Sequence, residues 1–397
     1  MQLSEERVET IQMTVLLSIV FLGQIIANIV NLGFVYHLRA IFSMSAGLIG
    51  FAVGLSSIFY CIGCVFFSPL YAHFKPRNLL LFGCFGLSFI LYMLSRCTEQ
   101  QQIWIFIILF GFIQSMIWPS IETWISRGKE SDLLNRDLGL FNVLYSLGAG
   151  IAPFICTLLV VRSTYLPLIV GSVLALVNGL LILIVSTIVP QMRSVDSENT
   201  YVASLDSKDN STPLRYFGWV GVFMIFLVWI AIQTAFPLFT RENLGMNENV
   251  TGLLFLAKGL VSCVAFMLLG KLNFWHFKMK YIVGAQLGLA LILFVFCSAA
   301  SIPLFFIFFI IFGVLNALLF MQSLFHGASG AIERSKRMNI HEVVLNVGIV
   351  LGGVVGGSLF QQFNYQTMML ILAIFITAVV AIELFIYFFV MKKKSVF

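Results

Sequence analysis

From Ile103 to Arg127 the chain reads IWIFIILFGFIQSMIWPSIETWISR. That is apolar for longer than the hydrocarbon of a bilayer is thick, since about 20 helical residues span it. Runs of this kind recur twelve times, near residues 11–36, 46–70, 77–95, 102–126, 137–161 and 165–189, then 216–240, 249–272, 280–299, 303–327, 338–362 and 365–391. A backbone immersed in lipid has to satisfy its own N–H and C=O groups, which restricts such runs to helices or closed barrels. Barrel strands are short and alternate in polarity, whereas these runs are continuous. The chain is therefore expected to be an all-α membrane protein with twelve transmembrane helices. Composition agrees: 10% of residues are charged and 60% are hydrophobic, against about a quarter charged in ordinary soluble domains.

Several classes fall away. No P-loop is present, so ATP is not expected as the direct energy source, and no HExxH, GxSxG or paired-Asp motif suggests an enzyme. Cys61 and Cys64 form a CxxC, but inside an apolar helix they read as buried thiols rather than a metal or redox site. No cofactor, metal or nucleic-acid partner is expected. Glu5, Glu6, Arg7 and Glu9 precede a first run too long for a signal-peptide core, so no cleavable leader is expected.

Residues 191–215, rich in Ser, Asp, Asn and Lys, form the one linker-like segment. The segment divides the chain into a six-helix bundle over 1–190 and another over 216–397. Eighteen Lys and Arg residues fall on the face that carries the termini and linker, and only Arg39, Arg96, Arg162 and Arg241 on the other. That asymmetry places both termini and the linker in the cytoplasm, and the even span count agrees by putting the termini on one face. The halves also match at a shift of about 200 residues. AGLIGFAVGLSS from Ala46 aligns with NVTGLLFLAKGL from Asn249, Gln114 with Asn316, and Asn142 with Glu342. The two bundles are thus expected to be pseudo-symmetric, with a site between them.

Residues 47–80, GLIGFAVGLSSIFYCIGCVFFSPLYAHFKPRNLL, resemble the second span and following loop of the major facilitator superfamily. The family's loop signature, G-x-x-x-D-[RK]-x-G-[RK]-[RK], falls here on Ser68, Ala72, His73, Lys75, Pro76 and Arg77. The basic character is kept, while the glycine and aspartate are absent. Gly270 to Lys278 is a looser copy in the second half. The fifth span is similar to the family's antiporter signature at Gly139, Gly148 and Pro153, with Ala152, Cys156 and Thr157 replacing three glycines. Gly348, Gly352, Gly353, Gly356 and Gly357 repeat the spacing in the eleventh. Small residues at such positions let helices approach and slide. The resemblance implies that the first, fourth, seventh and tenth spans line a central cavity, with the second, fifth, eighth and eleventh beside them.

Polar residues concentrate on those spans. Gln24, Asn28 and Asn31 share one face of the first span, and Gln114, Trp118 and Glu122 one face of the fourth. The fifth adds Asn142 and Tyr145, and the seventh Trp229 and Gln233 before Pro237. Asn316, Gln322 and His326 lie in the tenth, and Glu342 and Asn346 in the eleventh. Interhelical hydrogen bonding is the plainer role for each amide, worth about 0.6 kcal/mol on average. Their clustering favours solute binding by Gln24, Asn28, Asn31, Gln114, Trp118, Asn142, Tyr145, Trp229, Gln233, Asn316, Gln322 and Asn346. Lys258, nine residues into the eighth span, is the cation expected at the midplane, where it points to an anionic solute; a structural ion pair and a neutral lysine of lowered pKa are the alternatives.

Charges inside a membrane are costly and default to function. Glu122, Glu342 and His326 are expected to exchange protons during the cycle, although Glu122 near a helix end could instead reach water. Pro119 predicts a kink beside Glu122. Glu383 lies in the twelfth, peripheral span, where packing or a lipid contact is expected. The whole reads as a monomeric secondary transporter of a small organic solute, driven by protons, with export slightly favoured, in a bacterial inner (plasma) membrane. A lysophospholipid or other amphiphile remains an alternative solute, and a non-transporting receptor an alternative class.

Overall fold

In hydrocarbon the β-branched residues that favour strands in water have no ladder to join, so each apolar run closes its hydrogen bonds within itself as a helix. The computed structural model describes residues 5–73, 76–126, 131–188, 211–331 and 334–391. Among them, twelve helices are long and apolar enough to cross a membrane. The first six spans are Glu5–Phe42, Ala46–His73, Pro76–Arg96, a fourth in two pieces (Gln100–Gln114 and Trp118–Ser126), Ser131–Arg162 and Leu166–Ile188. The next six are Leu214–Leu238, Glu248–Leu269, Met279–Phe296, Ile302–Ala328, Arg334–Gln362 and Tyr365–Ile386. One π-helical turn, Phe239–Asn243, extends the seventh, and another, Tyr387–Met391, the twelfth. The first helix outruns its predicted stretch at both ends, because helical hydrogen bonds continue beyond the apolar run. Of the predicted linker, 191–210 lies outside the described residues; so does Lys75 of the loop signature, as do Arg127 and Glu333.

The spans differ in how far they are enclosed. The apolar core of the seventh is 94% buried, against 33% for the twelfth. One is therefore an axis of the molecule and the other a flank. The outer surface carries Val65, Phe66, Phe294 and Ile374, each at least 63% exposed, a belt that suits contact with acyl chains.

Among the described residues, two helix pairs make the most extensive contact between the halves, the fifth against the eighth and the second against the eleventh. Both seams are closed by glycine. A Cβ on Gly150 would lie 2.7 Å from the Gly259 Cα, and one on Gly353 would lie 2.7 Å from the Gly50 carbonyl oxygen. Backbones approach this closely only where no side chain intervenes. The eighth–fifth seam runs from Gly252 beside Thr157 to Gly139 beside Gly270, so the halves touch near both membrane faces.

At the face opposite the termini the seam carries polar contacts. Arg39 Nη2 lies 3.0 Å from Glu242 Oε1, and the Gly47 N–H donates to Gln361 Oε1 at 3.0 Å. The ion-pair side chains are 41% and 42% exposed. An exposed pair contributes about 0–1 kcal/mol. Arg39→Gln should therefore move the unfolding midpoint of the purified protein by no more than about 1 kcal/mol; a larger loss in a denaturation series would show that the contact holds the face shut.

Candidate functional site

The fourth span breaks at Ser115–Ile117, one turn before the kink expected at Pro119. Proline has no N–H to offer the carbonyl four residues back, and its ring crowds that carbonyl. Position 119 therefore suits the opening turn of a new helix better than the middle of an old one. The intervening turn tightens: Met116 N–H donates to Ile113 O at 3.2 Å and Ile117 N–H to Gln114 O at 3.0 Å. The restarted helix begins at Trp118 and carries Glu122 into the molecule, at 5% exposure.

Glu122 meets Glu342 there. The two carboxyl groups face each other across the halves, from the fourth span to the eleventh, near enough for their charges to interact. Tyr60 of the second span donates its hydroxyl to Glu342 Oε2 at 2.8 Å. One turn along the eleventh span, Asn346 Nδ2 donates to the Glu342 carbonyl at 2.9 Å. Two acids can share a hydrogen bond only when one of them carries the proton, since two carboxylates both accept. Beside this cluster lies a cavity of about 60 Å³ lined by Asn31, Ser57, Tyr60, Gln114 and Asn346, among others. It has room for a few waters, and is far smaller than the roughly 300–1,000 Å³ of an organic-ligand pocket.

Aromatic rings fill the space between the halves. Tyr145 stacks on Phe320 with centroids 5.5 Å apart, and Trp118 packs on Tyr145 at 5.8 Å. The Phe320 ring also meets His341 at 5.3 Å. Asn142 Nδ2 lies 3.4 Å from Met321 Sδ, so the fifth and tenth spans are in polar as well as ring contact. On the far side of the seventh span, Lys258 places its Nζ 4.1 Å from the Trp229 ring centroid. Gln233 and Asn316 are buried, at 4% and 8% exposure.

The remaining expected site residues divide. Asn31, Gln114 and Asn346 come together at the cavity. Gln24 and Asn28 satisfy each other, with Asn28 Nδ2 donating to Gln24 Oε1 at 3.0 Å. Gln322 is fully buried, and neither atom of its amide has a hydrogen-bond partner. His326 lies apart from the acids. The Phe277 N–H donates to its Nε2 at 3.1 Å, and its Nδ1 lies 2.8 Å from the Gln322 carbonyl oxygen, which can only accept. Both ring nitrogens are therefore committed, and the residue pins the 270–278 loop to the tenth span. Glu383 is buried at 4% exposure, beside Gln286 rather than lipid. Arg77 of the loop signature donates from Nε to Ser186 Oγ at 2.7 Å.

Sequence reasoning missed Tyr60 as a site residue. A tyrosine midway along an apolar helix was the available signal, because a phenol buried in lipid or protein needs a partner for its hydroxyl.

The family model for the Major Facilitator Superfamily matches residues 16–329 and 219–396. No curated protein sequence matches the chain. Among solved structures, the nucleoside transporter NupG is similar with a TM-score of 0.72 at 12% identity, covering 95% of this chain and 99% of its own. The human organic anion transporter MFSD10 (TETRAN) gives 0.68 at 12% identity, covering 96% and 99%. A POT family transporter in complex with 5-aminolevulinic acid gives 0.72 at 11%, covering 94% and 96%. At such identities the likeness is one of fold. Span count, paired seams and the family match agree: the chain is a twelve-span membrane protein and belongs to the major facilitator superfamily of transporters.

Proposed function

We propose that this protein carries a small organic solute across the membrane by alternating access, and that protons are the coupling ion. The halves 1–190 and 216–397 rock about the two glycine seams, exposing the central space to one face and then the other. The observation that carries the coupling is the buried pair of acids, Glu122 and Glu342, facing each other between the halves, with Tyr60 donating to Glu342. Protonation of that pair acts directly on a contact that the rocking has to break. His326 is assigned to holding the loop rather than to proton exchange, because both its ring nitrogens are engaged. The basic residues gathered at the termini face support cytoplasmic termini in a bacterial inner membrane. The partial antiporter signature of the fifth span tilts the direction towards export. Nucleoside, organic anion and 5-aminolevulinic acid are named for three neighbours, and this diversity supports a small organic solute without choosing among them.

The test is transport in liposomes with an imposed pH gradient. The wild type should move its solute uphill while the gradient lasts, and Glu122→Gln and Glu342→Gln should each abolish uphill movement. Transport indifferent to the gradient and to both substitutions would refute the coupling.

A further inference from the structure

Among the described residues Lys258 is the one buried lysine or arginine, at 8% exposure, and its ammonium makes no ion pair with a carboxylate. The Nζ lies 4.1 Å from the centroid of the Trp229 ring and 6.0 Å from that of Phe312. A cation withdrawn from water needs compensation, and ring faces supply only part of it. Glu122 and Glu342 face each other, and Glu383 lies beside Gln286 on the twelfth span, so none of the buried glutamates pairs with Lys258. A buried amine with no anion beside it favours its neutral form, and an anion brought in by a ligand would hold it charged.

The surroundings define what would bring it. Gln233 follows Trp229 by one turn of the seventh span, and Asn316 follows Phe312 by one turn of the tenth. These spans run in opposite directions, so the two amides flank the ammonium above and below. Gln233 Nε2 is buried and has no hydrogen-bond partner. The Trp229 ring also packs on Phe255 at 5.1 Å and Phe312 at 5.8 Å, giving a flat apolar wall. A strongly hydrated inorganic anion gains nothing from such a wall, whereas an aromatic or otherwise planar body does.

We infer that the chamber takes an organic carboxylate with a flat apolar body, its carboxylate on Lys258 and the Gln233 amide and its body against Trp229 and Phe312. This rests on the reading of the central space as a solute site and narrows that reading to anions. Admitting such a ligand requires the rings packed around Lys258 to part.

The test is ligand-induced stabilisation of the purified full-length protein, with benzoate, its uncharged counterpart benzamide, and sulfate as probes in chloride-free buffer. Benzoate at about 10 mM should raise the unfolding temperature of the wild type by a few degrees, with benzamide and sulfate having little effect. Lys258→Met should lose the benzoate shift and Lys258→Arg keep part of it. Benzoate without effect on the wild type, or equally effective on Lys258→Met, overturns the inference. Benzamide matching benzoate in both proteins overturns it too, while leaving a solute chamber in place. Should Lys258→Met not fold, Trp229→Leu decides: a loss of benzoate affinity of about fivefold or more supports the inference, and an unchanged affinity overturns it. Binding is read here without a pH gradient, so its failure and a failure of proton coupling are separable.

Discussion

Leucine in place of Gly259 should abolish transport and lower the unfolding temperature by roughly 4 °C, the shift that about 3 kcal/mol gives a chain of 397 residues. A Cβ at this position runs into the Gly150 Cα and lies 2.8 Å from the Gly150 backbone nitrogen. Overpacking in a core costs about 1–3 kcal/mol when neighbouring side chains can yield. Here the obstacle is backbone on a facing helix, so relief requires separating the fifth span from the eighth along their length. Intrinsic helix preference works in the opposite direction, favouring leucine over glycine by up to about 1 kcal/mol. Gly284, on the ninth span, provides the contrast, because a Cβ there meets nothing within 4 Å. Gly284→Leu should leave transport unchanged and the unfolding temperature equal or slightly higher. Thermal unfolding and transport, measured side by side on the two variants, decide the matter. Equal effects at the two sites would mean that the seam is not a close backbone contact in the membrane.

The contrast between those glycines also shows where the sequence stops being informative. Both sit in apolar runs and read alike; only the facing helix makes one of them indispensable. Span number was legible because hydrocarbon thickness sets run length, and it needs no knowledge of neighbours. The face shared by Gln114, Trp118 and Glu122 was legible from helical period alone. Its consequence was not, since Glu342 lies 220 residues further along and Tyr60 belongs to another span. The break in the fourth span came one turn early because proline disrupts the hydrogen bond behind it, so the local geometry adjusts ahead of residue 119. His326 read as a group free to titrate, and only the fold of the 270–278 loop reveals that both its nitrogens are taken. Long-range partnership decides the role of each of these residues, and a single chain does not print it.

The acid pair sets the second large effect. Glu122 and Glu342 face each other across the halves: with one proton between them one acid can donate to the other, and with none two carboxylates repel. At an effective dielectric of about 20, two like charges about 4 Å apart repel by roughly 4 kcal/mol. Set against a conformational equilibrium, that is roughly a thousandfold change. Tyr60, Tyr145, Cys61 and Cys64 near the pair are uncharged in their usual forms, and the neighbouring His341 turns its Nδ1 to Ser323 Oγ at 2.8 Å. The sign follows. Acid holds the fourth and eleventh spans together, and rising pH drives the termini face open as the shared proton leaves. Spin labels replacing the exposed Arg136 and Lys271, on a cysteine-free background, should report a longer distance population as pH is raised in the wild type. Glu122→Gln and Glu342→Gln should each flatten that response, because a neutral amide removes the repulsion whichever partner carries it. The double variant should be no flatter than either single one, as expected of two side chains forming one proton site. A single glutamine variant that keeps the full wild-type response would show that the pair is packing, and that the proton acts elsewhere.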